Sequence, residues 1–311
     1  MKKYLASIIT IIILSGLYFY MNPNPQKVIE NHLKNKYKEE FIVEVLGKRE
    51  KTYEAIIYPK KYVGTSREND SYYWGKGFAK GRKGGDTYGL VLLNESTNEF
   101  FLPKLKELFG ENVLPVLDMG PSYVKNNFKE EMEALKKAYK LYPTASFEPI
   151  SGGIYIFGRV ESNEDREWYR KQIYEFVQFM KQTGTFEYVD LDISIIEKNI
   201  MSNEFQNNTE LKAELTKSAL EQEYEKYRRE RKGILEKYNF YTYNIDDIQD
   251  KISQINRSSL IDLGVGKWSV FNTLLYTKIY SPKYIENQNL DNEEVKKYNK
   301  ISDVKFYFET W

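Results

Sequence analysis

Residues 75–85 read Gly-Lys-Gly-Phe-Ala-Lys-Gly-Arg-Lys-Gly-Gly, the densest mixture of glycine and positive charge in the chain. Glycines leave backbone amides accessible, and Lys76, Lys80, Arg82 and Lys83 add cations, so this stretch has the chemistry to hold a phosphate, a lipid headgroup or an anionic wall polymer. Its spacing matches neither a Walker loop nor a dinucleotide fingerprint. A solvated surface loop has the same composition. A second candidate is Asp190 with Asp192, two apart in a stretch that predicts a strand. Alternation then puts both carboxylates on one face, about 6 to 7 Å apart. Two carboxylates are what glycoside hydrolysis uses, although such enzymes draw them from different elements and a solvated strand face shows the same pattern.

Other groups argue against further chemistry. Asp246, Asp247 and Asp250 form a D-D-x-x-D cluster that fits a helix N-terminus, and neither a ligand loop nor a second acidic segment accompanies it, so no metal site is expected. His32, the single histidine, falls beside the apolar face of a predicted helix and is expected at the surface. Cysteine is absent, which removes disulfides, thiolate metal sites and a cysteine nucleophile. No G-x-S-x-G or S-x-x-K motif occurs, and nothing implies a cofactor.

The 311 residues are 41% hydrophobic, enough for a real core in one large domain or two ordinary ones. Net charge is +1, and a general electrostatic grip on nucleic acid is not expected. Twenty-seven tyrosines would suit carbohydrate stacking, yet the joint abundance of Lys, Asn, Ile and Tyr matches the codon bias of an AT-rich genome.

The elements that must position these groups follow from periodicity. A helix is expected from Gln26 to about Glu39, then strands at Phe41–Val45 and Tyr53–Tyr58 around a turn at residues 47–51. Residues 58–90 predict a long loop or irregular hairpin, Leu90–Leu93 a short strand, Phe100–Phe109 a helix and Val113–Leu117 a strand. A helix over Lys125–Leu141 precedes a strand at Gly153–Val160. Ser162 with Asp165 then caps a helix to about Gln182, Gly184 ends it, and Phe186–Ile196 forms a strand. Beyond a polar boundary near Ser202–Asn208, a charged helix over Thr209–Tyr238 and a second over Asp246–Asn256 predict a helical hairpin, followed by strands at Trp268–Tyr280 and Val304–Trp311. The fold class is therefore α+β: a mixed or largely antiparallel sheet with helices on one side, plus a C-terminal helical hairpin and strands. The domain reading is 1–22, 23–201 and 202–311.

The segment HLKNKYKEEFIVEVLGKREKTYEAIIYPKKY, residues 32–62, resembles the opening of predicted exported or lipid-anchored proteins of low-GC Gram-positive and related bacteria. The resemblance implies an extracytoplasmic location and an α+β start, and carries over no catalytic residue. It agrees with the apolar run YLASIITIIILSGLYFY at residues 4–20, behind Lys2 and Lys3. Seventeen residues span roughly 25 Å as a helix, near the lower limit for a bilayer. Bulky Leu17–Tyr20 follows Ser15-Gly16 where signal peptidase needs small residues, so an uncleaved N-terminal transmembrane helix is expected over a cleaved signal and a secreted protein. Lys2 and Lys3 would stay cytoplasmic and the remainder would face outward. Together these readings predict a membrane-anchored binding module that meets an envelope protein or anionic polymer, with a carboxylate-dependent envelope hydrolase as the alternative.

Overall fold

The computed structural model describes residues 23–68, 70–120, 126–142, 150–196 and 298–306, single residues 252, 255 and 257, and the backbone of strands at 200–201, 241–243 and 269–276. The expected transmembrane helix, the charged helix at 209–238, Asp246, Asp247 and Asp250 of the second expected helix, and residues 307–311 lie outside the described residues. The chain divides into two compact units. Unit 1 runs up to Glu68 and adds Tyr73–Val91; unit 2 comprises Asn69–Tyr72 and Leu92 onward. The architecture is α+β, with one antiparallel and one mixed sheet.

In unit 1, α1 (Pro25–Tyr37) opens with Asn24 as N-cap, its Oδ1 accepting from the Gln26 amide at 2.9 Å, and with proline at the first helical position. Proline loses nothing there, because that amide has no partner within the helix. Lys38 closes the helix in the left-handed region (φ 60°), and the chain reverses into β1 (Phe41–Arg49). The Tyr37 and Phe41 rings, 5.7 Å apart, mark that reversal. β2 (Thr52–Pro59), β3 (Gly75–Lys80) and β4 (Lys83–Asp86) complete an antiparallel meander in the order β1-β2-β3-β4. The first turn is tighter than residues 47–51: Arg49 pairs with Thr52, leaving Glu50-Lys51 as the loop, and Gly47 marks a register shift.

Residues 58–90 are far more regular than a long loop. They hold two short 3-10 turns at Lys60–Tyr62 and Ser71–Tyr73, the β3–β4 hairpin, and the first turn of α2. Leu90–Leu93 is not a strand but part of that helix, α2 (Tyr88–Phe109), which passes through Pro103. A four-residue apolar run cannot distinguish strand from buried helix. Here the spacing of four between the buried Leu93, Thr97, Phe101, Leu105 and Phe109 decides for helix.

Unit 2 is built on β5 (Val113–Met119), β6 (Ile150–Phe157) and β7 (Val189–Ile196), with α3 (Phe128–Leu141) between β5 and β6 and α4 (Asn163–Thr183) between β6 and β7. A two-stranded pair follows, β8 (Ile200–Met201) and β9 (Tyr241–Tyr243), and then β10 (Ser269–Tyr276) joins the main sheet in the order β10-β7-β6-β5. Only β6 and β7 are parallel, as a helical crossover requires. The expected strand at residues 186–196 begins with a 3-10 turn, Phe186–Tyr188. α2, α3 and α4 cover one face through Phe101, Leu105, Met132, Leu135, Phe176 and Val177, packed on Leu117, Ile154, Leu191 and Ile193. Tyr72, Ile252 and Ile255 pack on the other face, against Leu114, Val116, Tyr155, Phe157 and Ile196.

β5 ends the sheet among the described residues, and α2 completes its open edge with side-chain amides. Asn98 Oδ1 accepts from the Leu117 amide at 3.0 Å, and Asn94 Oδ1 from the Met119 amide at 3.0 Å. The C-terminal segment departs from expectation. Val304 and Phe306 are buried as alternation predicts, but residues 301–303 form a 3-10 turn and 304–306 join no strand. The reason is α4: Arg170 Nη1 donates to the Val304 carbonyl, while Gln178 (3.2 Å) and Lys181 (2.9 Å) donate to the Tyr298 carbonyl, so the segment straps onto the helix.

Candidate functional site

The stretch carrying Lys76, Lys80, Arg82 and Lys83 is the β3–β4 hairpin of unit 1, turning at Gly81-Arg82 with Gly81 at φ 58°. Pairing with β2 and β4 draws its backbone into ladders, and the Lys76 amide donates to Thr87 Oγ1 at 2.8 Å. The glycines instead admit α1. A Cβ on Gly77 would lie 2.8 Å from Ile29 Cγ2, and one on Gly84 would lie 2.5 Å from His32 Cβ and 3.1 Å from the Val28 carbonyl. The cations remain outside: Lys76, Lys80, Arg82 and Lys83 are all exposed, and Lys80 is the register partner of Lys83. Like charges directly opposite each other repel, so this pairing is sustained by the fold and gains from any anion that meets it.

On the inner face, β4 ends in a carboxylate that the sequence did not single out. The Asp86 side chain is 0% exposed and receives His32 Nε2 at 2.6 Å, the Tyr37 hydroxyl at 2.6 Å, Lys36 Nζ at 3.0 Å and the Tyr88 amide at 3.0 Å. Burial pushes its carboxyl up, but the hydrogen bonds from Tyr37, Lys36 and His32, with the Lys36 charge, outweigh this and hold it below the usual carboxylate range. The Tyr37 phenol moves far the other way, through burial and then through Asp86. His32 is therefore no simple surface residue. Its ring clasps α1 to β4, with 29% of the side chain still exposed.

In unit 2, Asp190 and Asp192 share one face of β7, with Ser194 next along it, as alternation predicts. That face is opposite the helices. Ser151 and Gly153 of β6 pair with Asp190 and Asp192. Gly153 has a specific use here: the Tyr155 ring lies over it, and a Cβ would come within 2.5 Å of the Tyr155 hydroxyl. Burial pushes the Asp192 carboxyl up to about 6, opposed by the Ser194 hydrogen bond and aided by the Asp190 charge. Asp192 Oδ1 has no hydrogen-bond partner among the described residues. The Tyr155 phenol is also raised, by burial and by Asp192. A carboxyl protonated up to about pH 6 can deliver a proton, which is the property of a general acid.

The candidates thus fall into separate units, the cationic hairpin in unit 1 and the aspartates in unit 2. Among the described residues no group of three acids or histidines is placed to hold a metal ion, and no helix is long and apolar enough to cross a membrane. No protein-family model matches the chain, and neither a curated protein nor a solved structure is detectably similar to it.

Proposed function

We propose that this chain is a membrane-anchored, extracytoplasmic binding module: residues 4–20 tether it, Lys2 and Lys3 stay in the cytoplasm, and the two units stand outside, where the β3–β4 hairpin meets an anionic partner. The observation that carries the reading is the outward display of Lys76, Lys80 and Lys83 on a braced hairpin, with Lys80 set against Lys83. The apolar run and the resemblance of residues 32–62 to exported proteins support the location.

The test uses the absence of native cysteine. Lys60 is exposed, so a full-length Lys60→Cys chain offers one labelling position. The chain is expected to stay in the membrane pellet after an alkaline wash and to react with an impermeant maleimide on intact cells. Labelling only after lysis would reject the outward orientation. A shortened chain in the medium would replace the tether with a cleaved signal.

A second reading rests on Asp192, whose buried carboxyl holds its proton up to about pH 6 beside Asp190. As a carboxylate-dependent envelope hydrolase, the chain would use Asp192 as acid and Asp190 as base or nucleophile. Release of reducing ends from purified envelope glycan, abolished by Asp190→Asn and by Asp192→Asn, is the expected result. No release across the acid range would end this reading.

A further inference from the structure

The register of unit 1 gathers a second set of cations beside the first. Tyr53 pairs with Ala79, so the Glu50-Lys51 turn lies next to the Gly81-Arg82 turn at one end of the sheet. α1 starts at that same end. The chain reverses between Tyr37 and Phe41, making α1 antiparallel to β1, and β4 runs alongside α1 from Gly84 beside Val28 and His32 to Asp86 beside His32, Lys36 and Tyr37. The two turn stretches, Lys48-Arg49-Glu50-Lys51 and Lys80-Gly81-Arg82-Lys83, hold six cations and one acid, and all eight residues are exposed. Lys48, Arg49, Lys51, Lys80 and Lys83 form no salt bridge with any described residue. Behind the turns, Leu46 is 67% exposed and its neighbour Val45 38%, apolar side chains on the same strand as Lys48 and Arg49.

Lengths place this end against whatever holds residues 4–20. Gly84 lies against His32 and Val28, so the start of α1, three to seven helical residues or about 5 to 10 Å toward the N-terminus, comes about level with the Gly81-Arg82 turn, two to three strand residues or about 7 to 10 Å from Gly84. Between the apolar run and α1 lie only residues 21–24, at most about 14 Å of extended chain. A tether in the bilayer therefore keeps the turn end within reach of the headgroups, about 14 Å away at most, while Lys60 and the Phe41 end of β1 point away.

We infer that the turn end of unit 1 docks on an anionic membrane surface, with Lys48, Arg49, Lys51, Lys80, Arg82 and Lys83 meeting headgroup phosphates and Leu46 entering the interface. The inference rests on the tether reading and names its anionic partner: the bilayer that anchors the chain. Clustered cations beside an apolar side chain are what such a surface recruits, because charge draws the protein in and apolar burial holds it. Lys76, four residues back from Lys80 along β3, lies further from the turn end than the other cations of the hairpin.

The test reconstitutes the full chain into vesicles of phosphatidylcholine, with or without phosphatidylglycerol. One fluorophore sits on Lys51→Cys or, at the opposite end of the sheet, on Lys60→Cys, and the quencher is carried on lipid headgroups. The Lys51 position is expected to be quenched in anionic vesicles and the Lys60 position not. High salt should relieve the quenching, and each lysine neutralised in a Lys80→Gln, Lys83→Gln chain should lower the docked-to-undocked ratio about fivefold. Equal quenching at the two positions, or quenching indifferent to lipid charge and salt, overturns the inference while leaving the tether intact. An alkaline wash that strips the chain from vesicles rejects the tether instead. Salt-sensitive flotation with anionic vesicles alone would then still support docking, and flotation with neither would reject it.

Discussion

His32 and Asp86 are fifty-four residues apart in sequence and 2.6 Å apart in the fold, and the bond between them ties α1 to the last strand of its sheet. Asp86 also accepts from Tyr37, Lys36 and the Tyr88 amide, so a single buried carboxylate collects four donors from α1 and the start of α2. Replacing it with alanine strands several of those donors. Asp86→Ala is expected to destabilise unit 1 by about 2 to 4 kcal/mol, measured by urea unfolding followed through tryptophan fluorescence.

The same carboxylate sets an acid limit. Its folded pKa lies below the unfolded value, so its stabilisation is complete above about pH 4 and is lost as pH falls through the folded value. Unit 1 should weaken on acidification in that window, and Asp86→Asn should flatten this limb of the stability curve. An unchanged acid limb in the variant would show that Asp86 is not its source.

Asp192 has the opposite sign. Its folded carboxyl titrates near 6, above the unfolded value of about 4, so the folded state binds the extra proton between those values and stability falls as pH rises through them. The full cost, on the order of 3 kcal/mol as an upper bound, is in place at neutral pH. Asp192→Asn should therefore raise the melting temperature at about pH 7 and change it little at about pH 4. A larger gain at the acid end would contradict the assignment.

The glycines of the cationic hairpin give a prediction that separates packing from chain flexibility. A Cβ on Gly84 meets His32 and the Val28 backbone, whereas one on Gly85 has nothing nearer than Phe78 Cβ at 4.0 Å. Gly84→Ala should cost about 1 to 3 kcal/mol and Gly85→Ala close to nothing, judged from paired denaturation curves.

At the edge of the second sheet, Asn98 is 7% exposed and its amide oxygen is the acceptor for the buried Leu117 amide. Asn98→Ala is expected to cost about 1 to 3 kcal/mol through the stranded donor. Hydrogen exchange at Leu117 should accelerate in the variant while exchange in β7 follows only the global loss.

The sequence discloses what is local. Ser162, Asp165 and Gly184 announce both ends of α4, and the structure has the capping box and the left-handed Gly184. Alternation at Asp190 and Asp192 places both on one face, as found. Long-range contacts are another matter. Gly77 and Gly84 look like a phosphate-binding loop because nothing near them names Ile29 and His32, the residues that need the space. Asp86 is one acid among many until α1 folds over it. The burial of Asp192 depends on Tyr155 and on neighbouring strands, which no window around residue 192 contains.

The asparagines that finish the edge of β5 also bear on how copies of the chain meet one another at high concentration. A strand whose amides at Leu117 and Met119 are already engaged cannot serve there as a template for another chain. Losing Asn94 and Asn98 together would open a row of unpaired backbone next to an apolar core. The outcome to watch would then be sheet-by-sheet aggregation of neighbouring copies rather than simple unfolding.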